Sequence, residues 1–238
     1  MKQIITLTML VLSSTVALAD DIRSVADPEI DPNFDIVRAA VTAKGGQLSF
    51  TIDVAGTAGA TVPSATGTML GSAVHAYVWP TSLDSGAVGF SPGAGILALA
   101  VTAHPDFDDT PKYDENGDGK PDNDGAGWHS HWVVLAKDDA CKAGLKVKDV
   151  APGADVKMPA TAPGVPLFLD SPDARPALQG PTLTLAVPMP DGVSAMKFDG
   201  VAAGLRINTE MKAPLLCVTG IFKIASGDLT LPGTMNAE

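Results

Sequence analysis

The chain has 238 residues, of which 45% are apolar, 5% aromatic and 18% charged. With 27 acidic and 16 basic residues the formal net charge is −11, which argues against binding to nucleic acid or to an anionic membrane surface. The 24 glycines and 19 prolines argue against a helical bundle and favour many short segments joined by turns.

The first residues have the pattern of a secretory signal peptide. Lys2 supplies a positive charge, an apolar stretch follows from Ile4 to Leu18, and Ala17-Leu18-Ala19 forms a small-residue cleavage site. We therefore expect residues 1–19 to be a signal peptide and residues 20–238 to form one exported domain, periplasmic or secreted. No later segment offers about 20 consecutive apolar residues, so we expect no membrane insertion.

Nine segments have the composition and turn-bounded length of β-strands. The clearest is Gln47 to Val54, in which Leu48, Phe50 and Ile52 alternate with polar residues. The predicted strands span residues 35–43, 47–54, 72–79, 95–103, 128–136, 167–170, 182–187, 203–207 and 215–224. The sequence therefore predicts an all-β fold, an antiparallel β-sandwich of jelly-roll or immunoglobulin-like topology with one long acidic loop.

Two cysteines, Cys141 and Cys217, are present. An even number of cysteines in an exported chain favours a disulfide, because the compartment is oxidising. We expect the two cysteines to be bridged.

Some segments resemble known domains. Asp31-Pro32, Asp35-Ile36-Val37 and the hairpin from Lys44 to Phe50 resemble the opening of extracellular DOMON-like and CBM9-like β-sandwiches, and residues 180–188 are similar to a later strand of those domains. The resemblance does not extend to the segment between His75 and Trp132. It implies a sandwich that binds a ligand such as haem or a sugar, and it transfers no site residue.

All four histidines lie in the middle of the chain: His75, His104, His129 and His131. Residues two apart on a strand share one face about 6 to 7 Å apart, so His129 and His131 can converge on one ion. We expect His75 to add a third ligand from a neighbouring strand, with His104 or a loop carboxylate as the remaining one. Three imidazoles suit zinc or copper.

An acidic loop between His104 and His129 resembles a calcium-binding loop. Oxygen-bearing residues recur at alternate positions and Gly119 permits a sharp turn, as in the first nine positions of an EF-hand loop. The twelfth position is Gly125 instead of glutamate, so Asp124 or one of Asp106, Asp108 and Asp109 has to complete the shell. The predicted calcium ligands are Asp114, Asn116, Asp118, the carbonyl of Lys120, and Asp122.

These patterns favour a non-catalytic exported metal-binding protein in which calcium orders the loop beside a zinc or copper site. The first alternative is a metal-dependent periplasmic enzyme that uses the same histidines. The His-x-His strand is similar in outline to the metal site of α-class carbonic anhydrases, which implies a zinc ion that activates water.

The second alternative is a carbohydrate-binding or haem-binding module in which the histidines have no ligand role. A sugar would stack on aromatic rings, and the candidates for such a platform are Tyr77, Trp79, Trp128 and Trp132. A haem would need an axial methionine beside a histidine, and Met69 and Met196 are the candidates. The sequence identifies neither a protein partner nor an oligomeric state.

Overall fold

The computed structural model describes residues 21–109, 119–120 and 124–237. This part of the chain contains fourteen β-strands and two short 3-10 helices, Ser85–Val88 and Asp124–Ala126. None of its helices is long and apolar enough to cross a membrane. The predicted signal peptide lies outside the described residues.

The strands follow one another along the whole described chain. They are β1 (Ile22–Arg23), β2 (Ile36–Lys44), β3 (Gln47–Val54), β4 (Ala73–Pro80), β5 (Ile96–Ala103), β6 (His129–Lys137), β7 (Leu145–Val147), β8 (Leu169–Asp170), β9 (Ala177–Gln179), β10 (Thr182–Pro188), β11 (Ala195–Phe198), β12 (Val201–Ile207), β13 (Leu216–Ile224) and β14 (Gly233–Asn236).

Six strands form a closed antiparallel barrel. The order around the barrel is β5, β4, β12, β13, β7 and β6, and the pairing of β5 with β6 closes the ring. The short strand β8 pairs with β6 beside the barrel. A closed barrel encloses a lumen, and every strand therefore turns one row of side chains into that lumen.

A five-stranded sheet, in the order β1, β2, β3, β10 and β9, packs against the outside of the barrel, and β11 and β14 form a separate pair. The alternating apolar residues of β3 face outward-pointing residues of the barrel. The Phe50 ring, for example, meets the rings of Trp79 and Trp132 at centroid distances of 5.6 and 6.0 Å. A second apolar cluster fills part of the lumen. The protein thus has one core outside the barrel and another inside it.

The register of the barrel strands decides which residues face the lumen. Directly opposed residues of an antiparallel pair point to the same side of the sheet. One row of such partners runs through Val201, Val78, Ala100 and His131, and the next inward-facing row runs through Ala203, Ala76, Thr102 and His129. Both histidines of the His-x-His pair therefore belong to the inward-facing set.

All nine predicted strands occur, with ends shifted by at most two residues, and the all-β prediction is confirmed. The sandwich prediction is wrong in one respect, because one of the two layers is a closed barrel. Closure depends on β7, a three-residue strand that links β6 to β13. Alternation in a sequence reveals the two faces of a strand, but it does not reveal whether the two edges of a sheet meet.

The predicted disulfide between Cys141 and Cys217 is confirmed, with the two Cα atoms 5.2 Å apart. Cys217 lies on β13, directly opposite Lys146 of β7, and this is the one residue pair that joins β7 to β13. Cys141 lies in the turn between β6 and β7. The disulfide therefore crosslinks the chain next to the shortest strand pairing of the barrel.

Candidate metal centre

Three histidines and one aspartate meet at one end of the barrel lumen. The four residues are His104, Asp109, His129 and His131, and one ligand atom from each lies within 4.8 Å of all the others. Each histidine is only 1% exposed and Asp109 is 8% exposed. Within the described part of the chain, this is the group of potential ligands that can hold a metal ion.

The two strands β5 and β6 position this cluster. On β6, His129 and His131 lie opposite Thr102 and Ala100 of β5, so strand alternation turns both imidazoles into the lumen. His104 follows the last residue of β5, and its backbone N–H donates to the carbonyl of Gly125 at 2.6 Å. The acidic loop that leaves β5 then places Asp109 against the three rings.

A backbone carbonyl oxygen holds the Nδ1 side of each ring. The Nδ1 atoms of His104, His129 and His131 lie 2.9, 3.0 and 3.2 Å from the carbonyl oxygens of Phe107, Gly127 and Asp170. A carbonyl oxygen only accepts, so each Nδ1 carries the proton and donates it. Metal-binding histidines commonly have this arrangement, because it fixes the tautomer and presents the Nε2 lone pair as the ligand atom.

The three Nε2 atoms face one another. Because each ring carries its proton on Nδ1, no Nε2 atom can donate a hydrogen bond to another. Nε2 of His104 lies 2.9 Å from Nε2 of His129, although both atoms carry a lone pair in this tautomer. Nε2 of His131 is buried and has no hydrogen-bond partner. The Thr102 hydroxyl lies 3.2 Å from Nε2 of His129 and can donate to it. A bound cation, or added protons on the rings, would turn these close Nε2 contacts into favourable ones.

The Asp109 carboxylate completes the cluster. Its Oδ1 lies 3.1, 3.2 and 3.3 Å from Nε2 of His104, His129 and His131. Burial raises the pKa of Asp109. Positive charge on His104 and His131, and hydrogen bonds from His104 and His129, outweigh burial when these rings also carry a proton on Nε2, and they then hold that pKa well below its usual range. The ionised carboxylate therefore favours positive charge among the rings, either as protons or as a metal ion.

The separations between the ligand atoms allow one ion to lie among them. Oδ1 of Asp109 is nearly equidistant from the three Nε2 atoms, and the four ligand atoms all lie within 4.8 Å of one another. Ligand atoms about 2.1 Å from a tetrahedral zinc ion are about 3.4 Å apart, so small shifts of the side chains would bring the four into such a shell. Imidazole and carboxylate are ligands that zinc and copper both accept.

The structure does not bring His75 to this centre, and its prediction as a third ligand is wrong. His75 lies opposite Ala103 of β5 and Gly204 of β12, in a row that faces out of the barrel. Its ring packs edge-on against Phe34 at 5.0 Å, and its Nδ1 lies 3.3 Å from the carbonyl of Thr61. His104 and a loop carboxylate, predicted as alternatives for the remaining ligand, are both present.

The predicted calcium loop lies largely outside the described residues, which include neither Asp114, Asn116, Asp118 nor Asp122. Gly119 and Lys120 are described, and Gly119 has the positive φ of +85° that a sharp turn requires. Two residues named as completing ligands have other roles. Asp109 belongs to the histidine cluster, and the Asp106 carboxylate accepts hydrogen bonds from Thr66 and Gly67.

The aromatic platform predicted for a sugar is absent from the described surface. Tyr77, Trp79 and Trp132 are buried in the core between the barrel and the sheet. Trp128 is partly buried against Tyr77, and its indole N–H donates to the carbonyl of Gly59 at 2.9 Å. Met196, a candidate haem ligand, is also a buried core residue.

Comparison of the chain with protein-family models, with curated proteins and with solved structures finds no match. The resemblance to DOMON-like and CBM9-like domains therefore stays a prediction. The assignment of function rests on the geometry of the cluster and of the barrel around it.

Proposed function

We propose that the protein is an exported metal-binding protein that holds one Zn²⁺ ion between His104, Asp109, His129 and His131. One observation carries this proposal: three Nδ1–H groups are each committed to a backbone carbonyl, so three Nε2 lone pairs and a carboxylate converge on one point. A metal ion at Nε2 requires the ring proton on Nδ1, and the three carbonyl oxygens hold it there.

A closed, non-catalytic site is the role that the donor set favours. Four protein ligands fill the coordination shell of a tetrahedral zinc ion, whereas catalytic zinc sites keep one position for water. All four ligands are buried. The ion would then be stored, carried or used to hold the end of the barrel together.

The remaining features support export. The N-terminal pattern is that of a signal peptide, and the disulfide between Cys141 and Cys217 is the kind of bond that persists in an oxidising compartment. Calcium in the acidic loop stays part of the proposal, because Gly119 adopts the left-handed turn expected at the sixth loop position.

The experiment is isothermal titration of the metal-stripped protein with zinc and with copper. We expect one equivalent of zinc to bind, and both His131→Ala and Asp109→Ala to weaken binding at least a hundredfold. His75→Ala is the matched control, since its ring lies on the opposite face of the barrel wall, and it should bind zinc like the parent. If His131→Ala binds zinc as tightly as the parent, the proposal is wrong.

A metal-dependent enzyme is the second candidate, because His104, Asp109 and His131 also line a cavity from which a small molecule could approach the ion. Replacing zinc with Co²⁺ separates the two roles. A four-coordinate spectrum that azide leaves unchanged supports the closed site. A spectrum that azide changes reveals an open position and favours the enzyme.

A further inference from the structure

The barrel lumen contains a cavity of about 210 Å³ that ends at the metal centre. His104, Asp109 and His131 line its inner end, and the remaining lining side chains are apolar apart from Thr81 and Thr102. No lysine, arginine or glutamate is among the lining residues. The cavity is therefore an apolar tube with all of its ionisable groups gathered at one point.

Small residues create this space. The interior of a barrel with few strands is normally filled by its own side chains. Here alanines stand at the middle of three neighbouring strands, with Ala203 opposite Ala76 and with Ala100 opposite His131. These three alanines line the cavity, so room remains where larger residues would have packed.

The other end of the lumen reaches the surface. Ile96 and Ile221 line the cavity and are still 41% and 36% exposed, so the lining reaches solvent at these two side chains. Leu229 and Leu231 also line it, from the segment after β13. This apolar rim is the side from which a molecule can enter, because the opposite end is closed by the buried histidine cluster.

We propose that the lumen binds a small monocarboxylate with an apolar body of about seven or eight carbons, its carboxylate directed at the metal centre and its tail at the rim of Ile96 and Ile221. This proposal rests on the proposed zinc site. The size of the cavity and the charge at its inner end define the ligand. An apolar cavity of about 150 Å³ accommodates benzene, so the lumen takes a somewhat larger body.

The charge expected at the inner end of the lumen determines the sign of the charge on the ligand's head group. A divalent ion with one carboxylate and three neutral imidazoles carries a net charge of about +1 in a water-poor site, where electrostatic attraction is stronger than in water. An anionic head beside the ion balances that charge while the four protein ligands stay in place. The apolar body meets side chains such as Val78, Ala203 and Val218 along the tube.

The test is calorimetric titration with octanoate, 1-octanol and butyrate, using zinc-loaded and metal-stripped protein. We expect one octanoate to bind the zinc-loaded protein, at least tenfold more tightly than it binds the stripped protein. Octanol, which lacks the charge, should bind equally to both forms, and butyrate, which lacks the tail, should bind at least tenfold more weakly than octanoate.

Ala203→Leu tests the location, because its added atoms occupy the middle of the cavity without touching a metal ligand. We expect this variant to bind one zinc ion and to lose octanoate binding. Ile221→Glu provides a second test at the exposed rim and should weaken octanoate binding by repulsion. Val25→Glu adds the same charge at a residue that is 86% exposed and does not line the cavity, so it should behave like the parent.

The failures of the two proposals are distinguishable. If the parent binds zinc but no octanoate at millimolar concentration, the lumen proposal is overturned and the zinc site stands. If octanoate binds equally with and without zinc, or if Ala203→Leu and Ile221→Glu both bind octanoate like the parent, the lumen proposal is also overturned. Failure of the parent to bind zinc overturns both proposals.

Discussion

Gly125 lies so close to His104 that the position admits no side chain. The carbonyl of Gly125 accepts the backbone N–H of His104 at 2.6 Å. A Cβ atom on Gly125 would lie 1.9 Å from the carbonyl oxygen of Phe107 and 2.9 Å from Nδ1 of His104. That same Phe107 oxygen orients the His104 ring. The far end of the acidic loop, at Gly125, therefore packs directly against the contact that fixes the tautomer of His104.

Gly125→Ala is expected to lower zinc affinity by at least tenfold. The added methyl group has to push away the Phe107 carbonyl, which frees Nδ1 of His104 and lets its ring turn; loss of such an outer contact commonly costs 10- to 100-fold in affinity. Zinc titration against a chromophoric chelator measures the change. Gly220→Ala is the control, because its Cβ would meet no atom closer than 4.0 Å. Equal affinity in the two variants would contradict the proposed coupling.

Ionisation of Tyr77 makes the stability of the fold depend on pH in the alkaline range. Its hydroxyl donates to the carbonyl of Asn33 at 2.6 Å and accepts the N–H of Gly59 at 3.0 Å. Burial raises the pKa of Tyr77 to about 12. The unfolded chain releases this proton near pH 10, so the stabilisation is complete below pH 10 and is lost as pH rises through about 12.

We therefore expect this tyrosine to remove about 3 kcal/mol from the free energy of unfolding between pH 10 and pH 12, since each unit of pKa shift is about 1.4 kcal/mol. Urea unfolding of the parent and of Tyr77→Phe at several pH values measures it. The variant should be less stable at neutral pH and should show a smaller decline with pH. Parallel curves for the two proteins would show that the Tyr77 hydroxyl is not the titrating group.

The disulfide is expected to be fully formed in protein isolated from an oxidising compartment and to contribute about 4 kcal/mol to stability, because it closes a long loop. Labelling of the denatured, unreduced protein should detect no free thiol. The double variant Cys141→Ser, Cys217→Ser should unfold at a lower urea concentration and still bind one zinc ion. Stoichiometric thiol labelling of the exported parent would refute this prediction.

Calcium binding by the acidic loop stays a prediction that a melting experiment can check. A ligand that binds only the folded state adds about 2.7 kcal/mol at a hundredfold excess over its dissociation constant. Millimolar calcium should therefore raise the melting temperature of chelator-treated, zinc-reloaded protein, and Asp118→Ala should abolish the rise. An unchanged melting temperature in the parent would dismiss the calcium site.

The sequence predicted the strands well because strand alternation is a local signal. Gln47–Val54 was predicted with its observed bounds, since its apolar residues all face one core. The same signal could have separated His75 from the other histidines. His75 shares its alternation with Tyr77 and Trp79, which fill the core outside the barrel, whereas Val74 and Val78 face the lumen.

Barrel closure and the role of Asp109 were not readable from the sequence. Closure is decided by the pairing of β7 with β13, a contact of one residue pair between a three-residue strand and a distant one. Asp109 stands in a loop with many aspartates, and nothing in the sequence distinguishes it from Asp106 or Asp108. Only the fold shows that Asp109 turns into the barrel while Asp106 binds the backbone of Thr66.

The four candidate metal ligands all lie between residues 104 and 131, on β6 and in the segment that follows β5, and these two strands are neighbours in sequence and in space. A β-hairpin of this kind needs no distant part of the chain to bring its ligands together, whereas barrel closure and the Cys141–Cys217 bond both require the C-terminal strand β13. In the proposed zinc protein the ion can therefore bind to the segment that contains β5 and β6 before the barrel closes. The loaded hairpin would then act as the template on which the rest of the barrel assembles.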